Sequence, residues 1–535
     1  MNMPFDLKMP DFAAVFTGET ECLISAPGGS AEKDDVRLEV LEKDSALSVR
    51  LTAGKTAVSF IRLRWNIQLP KDALFMGDAF ERAYGDLQWK TADSARLMYW
   101  YFLMTDPAQQ QTSGFGVKVR PNAFAIWSCD SKGITLFLDV RCGAKGVLLN
   151  GRTLEAAAIV SKTYQNQNTF SAAQNFCREM MIGKPLPLKF PVYGGNNWYY
   201  AYGRSSHEEI LADSRYISSL AGTEENRPFM VIDDGWQQFD HKPGAGPWRK
   251  GNERFPDMGK LASEMRACGV RPGIWFRPLS SLDPAIPGSW LLPEHKNSKE
   301  RSLDCSIPEV LDLVKEDIRR LTDWGYELIK HDFSTWDSLD QWGWETKTFF
   351  ARGDWSFADR SKTSAEIILQ LYKTILDAAG DAIIIGCNTM GHMGAGLMHL
   401  SRIGEDTSGI TWERSRQMGI NSLAFRLFQH KIFFDVDADC VGFTGSIPWE
   451  LNKQWTELLA KSGTPLFAAI KPQILSDAEF SQMQKLFSIA ARQEIQAEPL
   501  DWLNNTIPDQ WLFDGNKQTF DWYANEGNTS AFLQY

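Results

Sequence analysis

Between about residue 186 and residue 495 the chain repeats one pattern: a short apolar run of strand type, a loop, then an amphipathic helix. The strand candidates are Val192–Trp198, Phe229–Asp233, Arg271–Phe276, Leu328–Asp332, Ala382–Asn388, Leu400–Asp406, Ile432–Val436 and Leu466–Ile470, eight in all. Strands joined through helices must be parallel, and eight such units predict an α/β fold of (β/α)8 TIM-barrel type. The interval from the fifth to the sixth run leaves room for only a short helix, so a doubly wound open sheet is the alternative.

The helices carry their own signals. Ser205 and Ser206, each with Glu three residues later, open one that runs to Gly222. Met258, Leu261, Met265 and Cys268 mark the apolar face of a second, which stops at Gly269. Ser306-Ile-Pro308-Glu309 reads as a capping box with Pro in the first turn, followed by an apolar face at Val310, Leu311, Val314, Ile318 and Leu321.

Upstream, from Phe12 to about Thr163, short strands alternate with turn clusters and predict an antiparallel β-sandwich. Asp35 to Thr52 reads as a hairpin with its turn at Glu42-Lys43-Asp44-Ser45. Further runs lie at Val58–Ile67, Arg96–Met104, Phe115–Val119, Ala123–Trp127, Ile134–Val140 and Ala156–Val160. The stretch from Gly77 to Trp89, with Glu81, Arg82, Tyr84 and Asp86 among glycines, is expected to be a solvated turn; a loop entering a neighbouring cleft is the other reading. A helix over Ser171–Met181 and the linker Gly183-Lys-Pro-Leu-Pro-Leu close this part. The expected division is a β-sandwich over 1–185, the barrel over 186–495 and a small β region over 496–535, which holds Trp502, Trp511 and Trp522.

The chemistry of a barrel sits at the C-terminal ends of its strands, and polar groups gather there. The second strand ends in Asp233-Asp234-Gly-Trp236-Gln, the third in Trp275-Phe-Arg277, and the fourth in Lys330-His-Asp332. The fifth ends in Gly386-Cys-Asn388, the sixth in Arg402-Ile-Gly-Glu405-Asp406, and the seventh in Asp435-Val-Asp437-Ala-Asp439. Strand alternation puts Lys330 and Asp332 on one face and His331 on the other. An ammonium beside Asp332 keeps it ionised, as a covalent nucleophile requires. By the same parity Arg402, Gly404 and Asp406 face inward and Glu405 points away, with Gly404 leaving space. Asp406 is then the partner acid, its proton held by proximity to Asp332, and Arg402 is expected to bind a substrate hydroxyl rather than pair tightly with Asp406.

Metal readings are weaker. The Asp435, Asp437, Asp439 triplet lacks the Gly and Glu of a calcium loop, and His392 and His399 have no third ligand at zinc spacing. No metal and no cofactor is expected. A net charge of −11 without a Lys/Arg block argues against nucleic acid or a membrane surface as partner, and 20 Trp favour a neutral sugar. Eight scattered cysteines suit free thiols. The expected compartment is the cytoplasm, or the periplasm or exterior if an export signal has been removed. A homo-oligomer is left open.

Taken in order, Val231-Ile-Asp-Asp-Gly-Trp-Gln, Gly273-Ile-Trp, Lys330-x-Asp332 and Arg402-x-x-x-Asp406 resemble the melibiase-type α-galactosidases and raffinose synthases of glycoside hydrolase clan D. The resemblance implies a retaining, exo-acting α-galactosidase with Asp332 as nucleophile and Asp406 as acid/base. It implies that Asp233 and Asp234 accept hydrogen bonds from a terminal galactose, that Lys330 and Arg402 bind further hydroxyls, and that Trp198, Trp236 and Trp275 shape the pocket. Asn388 departs from the residue some relatives carry, and it opens the 2-position and the exact sugar, including α-N-acetylgalactosaminides and β-L-arabinopyranosides. A galactosyl transglycosylase and a non-catalytic sugar-binding protein are the alternatives; retention of both carboxylates speaks against the latter.

Overall fold

The repeated units of the middle of the chain form one parallel sheet. Its strands are Tyr193–Asn196, Phe229–Ile232, Arg271–Phe276, Leu328–His331, Ile383–Gly386, Leu400–Arg402, Asp435–Asp437, Cys440–Phe443 and Leu466–Ile470. The structure is a computed structural model that describes residues 7–19, 21–238, 244–293, 301–493 and 495–523. Neighbours pair in chain order from the first strand to Asp435–Asp437, and Leu466–Ile470 pairs with both Tyr193–Asn196 and Cys440–Phe443. The two ends of this run are joined by Ala438 and Asp439 alone, with Asp439 in the left-handed region at φ 76°. The strand order never reverses, which removes the doubly wound alternative.

Phe229–Ile232, Ile383–Gly386 and Leu466–Ile470 are buried at every position, as a parallel sheet covered by helices demands. The covering helices include His207–Ala221, whose cap Ser206 accepts from Glu209 N, and Met258–Ala267, capped by Asp257. Pro308–Asp323 buries Val310, Val314, Ile318 and Leu321, but the expected capping box does not form. Ile307 is the cap residue, and the Ser306 hydroxyl instead accepts from Asp359 N at 3.1 Å. Between the fifth and sixth strands stands a helix of four residues, Gly391–Gly394.

The seventh strand starts later than its apolar run suggested. Lys431, at φ 58°, turns the chain, and Lys431 N bonds Phe434 O at 2.9 Å, so Ile432 and Phe433 are buried in a turn. Burial alone does not distinguish a core turn from a core strand.

Among the described residues the N-terminal part is a single connected antiparallel sheet of twelve strands. Strands Val36–Lys43 and Ala46–Ala53 pair with Lys43 opposite Ala46, and the two turn residues, Asp44 and Ser45, both have positive φ, as a tight hairpin of right-handed twist requires. Helix Thr169–Met180 packs Phe170, Phe176 and Met180 inward. At the C-terminal end Ala497–Pro499, Gln510–Phe513 and Asn516–Thr519 make a three-stranded antiparallel sheet.

Polar contacts tie the antiparallel part to the parallel one. Asp78 takes Arg426 Nε at 2.7 Å and Gln429 Nε2 at 3.0 Å in a buried cluster, and Arg152 grips Glu366 through both guanidinium ends. The Gly77–Trp89 stretch is not a solvated turn. Ala83 N bonds Ile403 O at 2.8 Å and Glu405 N bonds Ala83 O at 2.9 Å, so the loop lies along the end of the sixth strand as a short parallel addition.

Candidate active site

A cavity of about 350 Å³ opens at the C-terminal ends of the parallel strands. Asp233, Asp234, Trp198, Trp275, Lys330, Asp332 and Asp406 all line it. Lys330 does not close on Asp332, its neighbour two residues along; Nζ reaches Asp233 Oδ2 at 2.8 Å, and Asn196 Nδ2 donates to the same oxygen at 2.7 Å. Asp233 stands at the end of the second strand, two along from the strand of Lys330, so the ammonium reaches across the mouth of the sheet instead of along its own chain. Asp234 accepts from Gln237 Nε2 at 2.7 Å. Burial, with Gln237 opposing and Asp233 adding to it, pushes the Asp234 carboxyl up to about 6.

Asp332 accepts from Trp275 Nε1 at 3.0 Å and from Phe333 N at 2.7 Å. Burial opposes its ionisation, but Lys330, Arg82 and these two N–H donors outweigh burial and hold the carboxyl below the usual range. Phe333, next in the chain, sits at φ 60°, an uncommon conformation for a bulky residue and one that turns the backbone N–H onto Asp332.

Asp406 is set up in the opposite sense. Its side chain is 38 % exposed to the cavity, and burial, reinforced by the adjacent Glu405, pushes its carboxyl up to about 6 against the pull of Arg402. Arg402 Nη2 donates to Asp406 Oδ1 at 2.9 Å and also pairs with Asp439. The expectation that Arg402 would bind a substrate hydroxyl rather than pair tightly with Asp406 is therefore corrected. Asp439 is what divides the guanidinium: it also takes Thr407 N at 2.7 Å and the Tyr199 hydroxyl.

Other expectations shift as well. Glu405 lines the cavity instead of pointing away, because the sixth strand ends at Arg402 and alternation does not extend past it. Gly404 leaves no room for substrate; a Cβ there would stand 2.2 Å from Met418 O. Trp236 is fully buried, donates to Trp275 O at 2.9 Å and packs on Trp248, so it supports the wall from behind. Asn388 is buried too, accepting from Trp336 N at 3.0 Å and donating to Glu81. Of the calcium-like triplet, Asp437 Oδ1 accepts from Asp439 N at 2.9 Å and the Asp439 carboxylate pairs with Arg402, and His392 donates to Val117 O at 3.0 Å beneath Trp100.

No protein-family model matches the sequence, and no curated protein does. Solved structures do match. An α-galactosidase from Thermus thermophilus in complex with p-nitrophenyl α-D-galactopyranoside aligns with TM-score 0.62 at 17% identity, over 97% of this chain and 99% of that one. The GH36 α-galactosidase AgaA of Geobacillus stearothermophilus, with 1-deoxygalactonojirimycin, aligns with TM-score 0.60 at 14% identity, over 91% and 71%. The galactosidase domain of the α-galactosidase-sucrose kinase AgaSK gives 0.61 at 15%, over 96% and 78%.

The fold is that of the GH36 α-galactosidases. Within this GH36 fold the site has members beyond the expected set. Arg82 comes from the antiparallel part, Tyr199 from the short helix Trp198–Ala201 after the first strand, Trp342 from the segment beyond the helix Ser334–Leu339 that follows the fourth, and Arg277 lies under Phe333 at 4.3 Å while paired with Asp337. Of these, only Arg277 carried a strand-end signal in the sequence.

Proposed function

We propose that the chain is a retaining, exo-acting α-galactosidase. One observation carries this reading: two carboxyls on one cavity are driven apart in proton affinity, Asp332 held ionised and Asp406 raised to about 6. That is the division of labour that glycoside cleavage through a glycosyl-enzyme needs. Asp332 attacks the anomeric carbon as Asp406 gives its proton to the leaving oxygen. Asp406, now a base, then takes a proton from the water that attacks the glycosyl-Asp332 ester.

In this scheme residues 186–495 are the catalytic unit, a (β/α)8 barrel whose seventh strand is broken at Ala438-Asp439, and the antiparallel part is a β-sandwich. Asp233 and Asp234 accept hydrogen bonds from two hydroxyls of a terminal galactose, and an epimer that leaves these buried acceptors unpaired is penalised. Lys330 supplies a donor beside them, Arg402 is taken up by Asp406 and Asp439 behind the cavity wall, and Trp198 and Trp275 present apolar faces to the ring. A pocket of this size takes the end of a chain, and the galactosides bound in the aligned structures support a galactoside as its occupant.

The test is hydrolysis of 4-nitrophenyl α- and β-glycosides of galactose, glucose, N-acetylgalactosamine and arabinopyranose by the wild type, Asp332→Asn and Asp406→Asn. Release from the α-galactoside, lost in Asp332→Asn and strongly reduced in Asp406→Asn, is the expected result. A folded wild type that releases nothing from any of them, or an Asp332→Asn variant with undiminished turnover, overturns the reading.

A further inference from the structure

Arg82 belongs to the antiparallel part of the chain, yet its guanidinium lines the cavity among groups more than a hundred residues away in sequence. Its side chain is only 4 % exposed. Nη2 lies 2.9 Å from Glu405 Oε2 and Nη1 3.8 Å from Asp406 Oδ1, and the guanidinium carbon sits 5.6 Å from the centre of the Trp342 ring.

The loop that carries it is built to stay in place. Besides the backbone bonds of Ala83 to the sixth strand, Glu81 accepts from Gly343 N at 2.8 Å, from Asn388 and from the Tyr84 hydroxyl. A Cβ on Gly343 would stand 2.3 Å from Glu81 Cγ, so that glycine admits the loop. An arginine held this firmly at the edge of a reacting carboxyl has a more specific use than closing the structure.

Given the α-galactosidase reading above, we propose that Arg82 is a positioning residue serving both Asp332 and Asp406 from outside the parallel sheet. Together with Arg414, 3.5 Å from Glu405 Oε1, it holds Glu405 in place beside Asp406, and it adds a fixed cation to the cavity that Asp332 also lines. The groups facing Asp406 are Glu405 and Arg402 from its own segment, Arg82 from the antiparallel loop, Asp439 from the broken seventh strand, and Tyr199 and Tyr202 after the first strand. Those acting on Asp332 are Lys330, Arg82 and the N–H groups of Trp275 and Phe333, with Cys387 and His331 close by. Arg82 favours ionisation of both carboxyls, whereas Glu405 opposes it at Asp406.

The experiment is the pH dependence of kcat/KM on 4-nitrophenyl α-galactoside for wild type, Arg82→Gln, Arg82→Lys and Glu405→Gln. Loss of the cation in Arg82→Gln moves the acid limb, set by Asp332, and the basic limb, set by Asp406, both to higher pH by about one unit. Arg82→Lys restores the acid limb towards wild type. Glu405→Gln moves the basic limb the other way, to lower pH, and carries the test alone if Arg82→Gln does not fold. Loss of rate with both limbs at wild-type positions would show a merely structural part and overturn the proposal, as would a Glu405→Gln basic limb that rises. A wild type that cleaves no galactoside removes the functional reading itself, and the proposal with it.

Discussion

Arg402 and Asp439 form a buried ion pair directly beside Asp406, and the same Nη2 that meets Asp439 also donates to Asp406 Oδ1 at 2.9 Å. Asp439 thus competes with Asp406 for one guanidinium. Its negative charge also raises the proton affinity of Asp406. Replacing Asp439 with Asn removes both effects, and both act in one direction: the Asp406 carboxyl ionises at lower pH. The basic limb of the kcat/KM profile is expected to move to lower pH by about half to one unit, with a fall in kcat at pH 7. A profile on an α-galactoside from pH 4 to 9 measures it.

Lys330 bonds Asp233 at 2.8 Å and lies deep in the site, so Lys330→Met should damage binding and chemistry together. Asp233 loses a charged partner, at a cost of about 1.5–3 kcal/mol, or roughly 10- to 100-fold in kcat/KM. Asp332 loses a cation that favours its ionised form, so the acid limb rises while the basic limb moves less. Steady-state kinetics across pH separate the two contributions.

Asn388 donates to Glu81, whose carboxyl burial already pushes up. Asn388→Asp sets a second carboxyl against it, and the pair then shares a proton with its folded affinity raised further. A carboxyl raised in the folded state contributes stability at low pH that is lost as pH rises through its folded pKa. The variant is therefore expected to melt below the wild type at pH 8, with the gap narrowing towards pH 5. Differential scanning calorimetry at the two pH values checks the sign.

Asp78 and Arg426 are buried to 4 % exposure on both sides and join the antiparallel part to the segment after the sixth strand. Asp78→Ala leaves the guanidinium buried without its carboxylate, and breaking such a pair costs about 3–5 kcal/mol. A lower urea midpoint is expected, and near wild-type stability would show that Arg426 finds another partner.

What strand and helix periodicity can report was legible in the residues themselves. The alternating strands and helices after Tyr193, the tight turn at Asp44-Ser45, and the gathering of Asp233, Asp234, Lys330 and Asp332 on one cavity all follow from short-range patterns. A buried strand needs apolar runs, and a parallel sheet collects the polar residues that end them.

Tertiary structure alone decided which of these charges meet. Side-chain parity stops where a strand stops, so it misplaced Glu405 beyond Arg402 and gave no warning of the break at Asp439. Lys330 chose Asp233 over Asp332, and Arg82 reached Glu405 across 323 positions of sequence. Such pairs are selected by distance and desolvation in the folded chain, and neither quantity is a property of a local stretch of sequence.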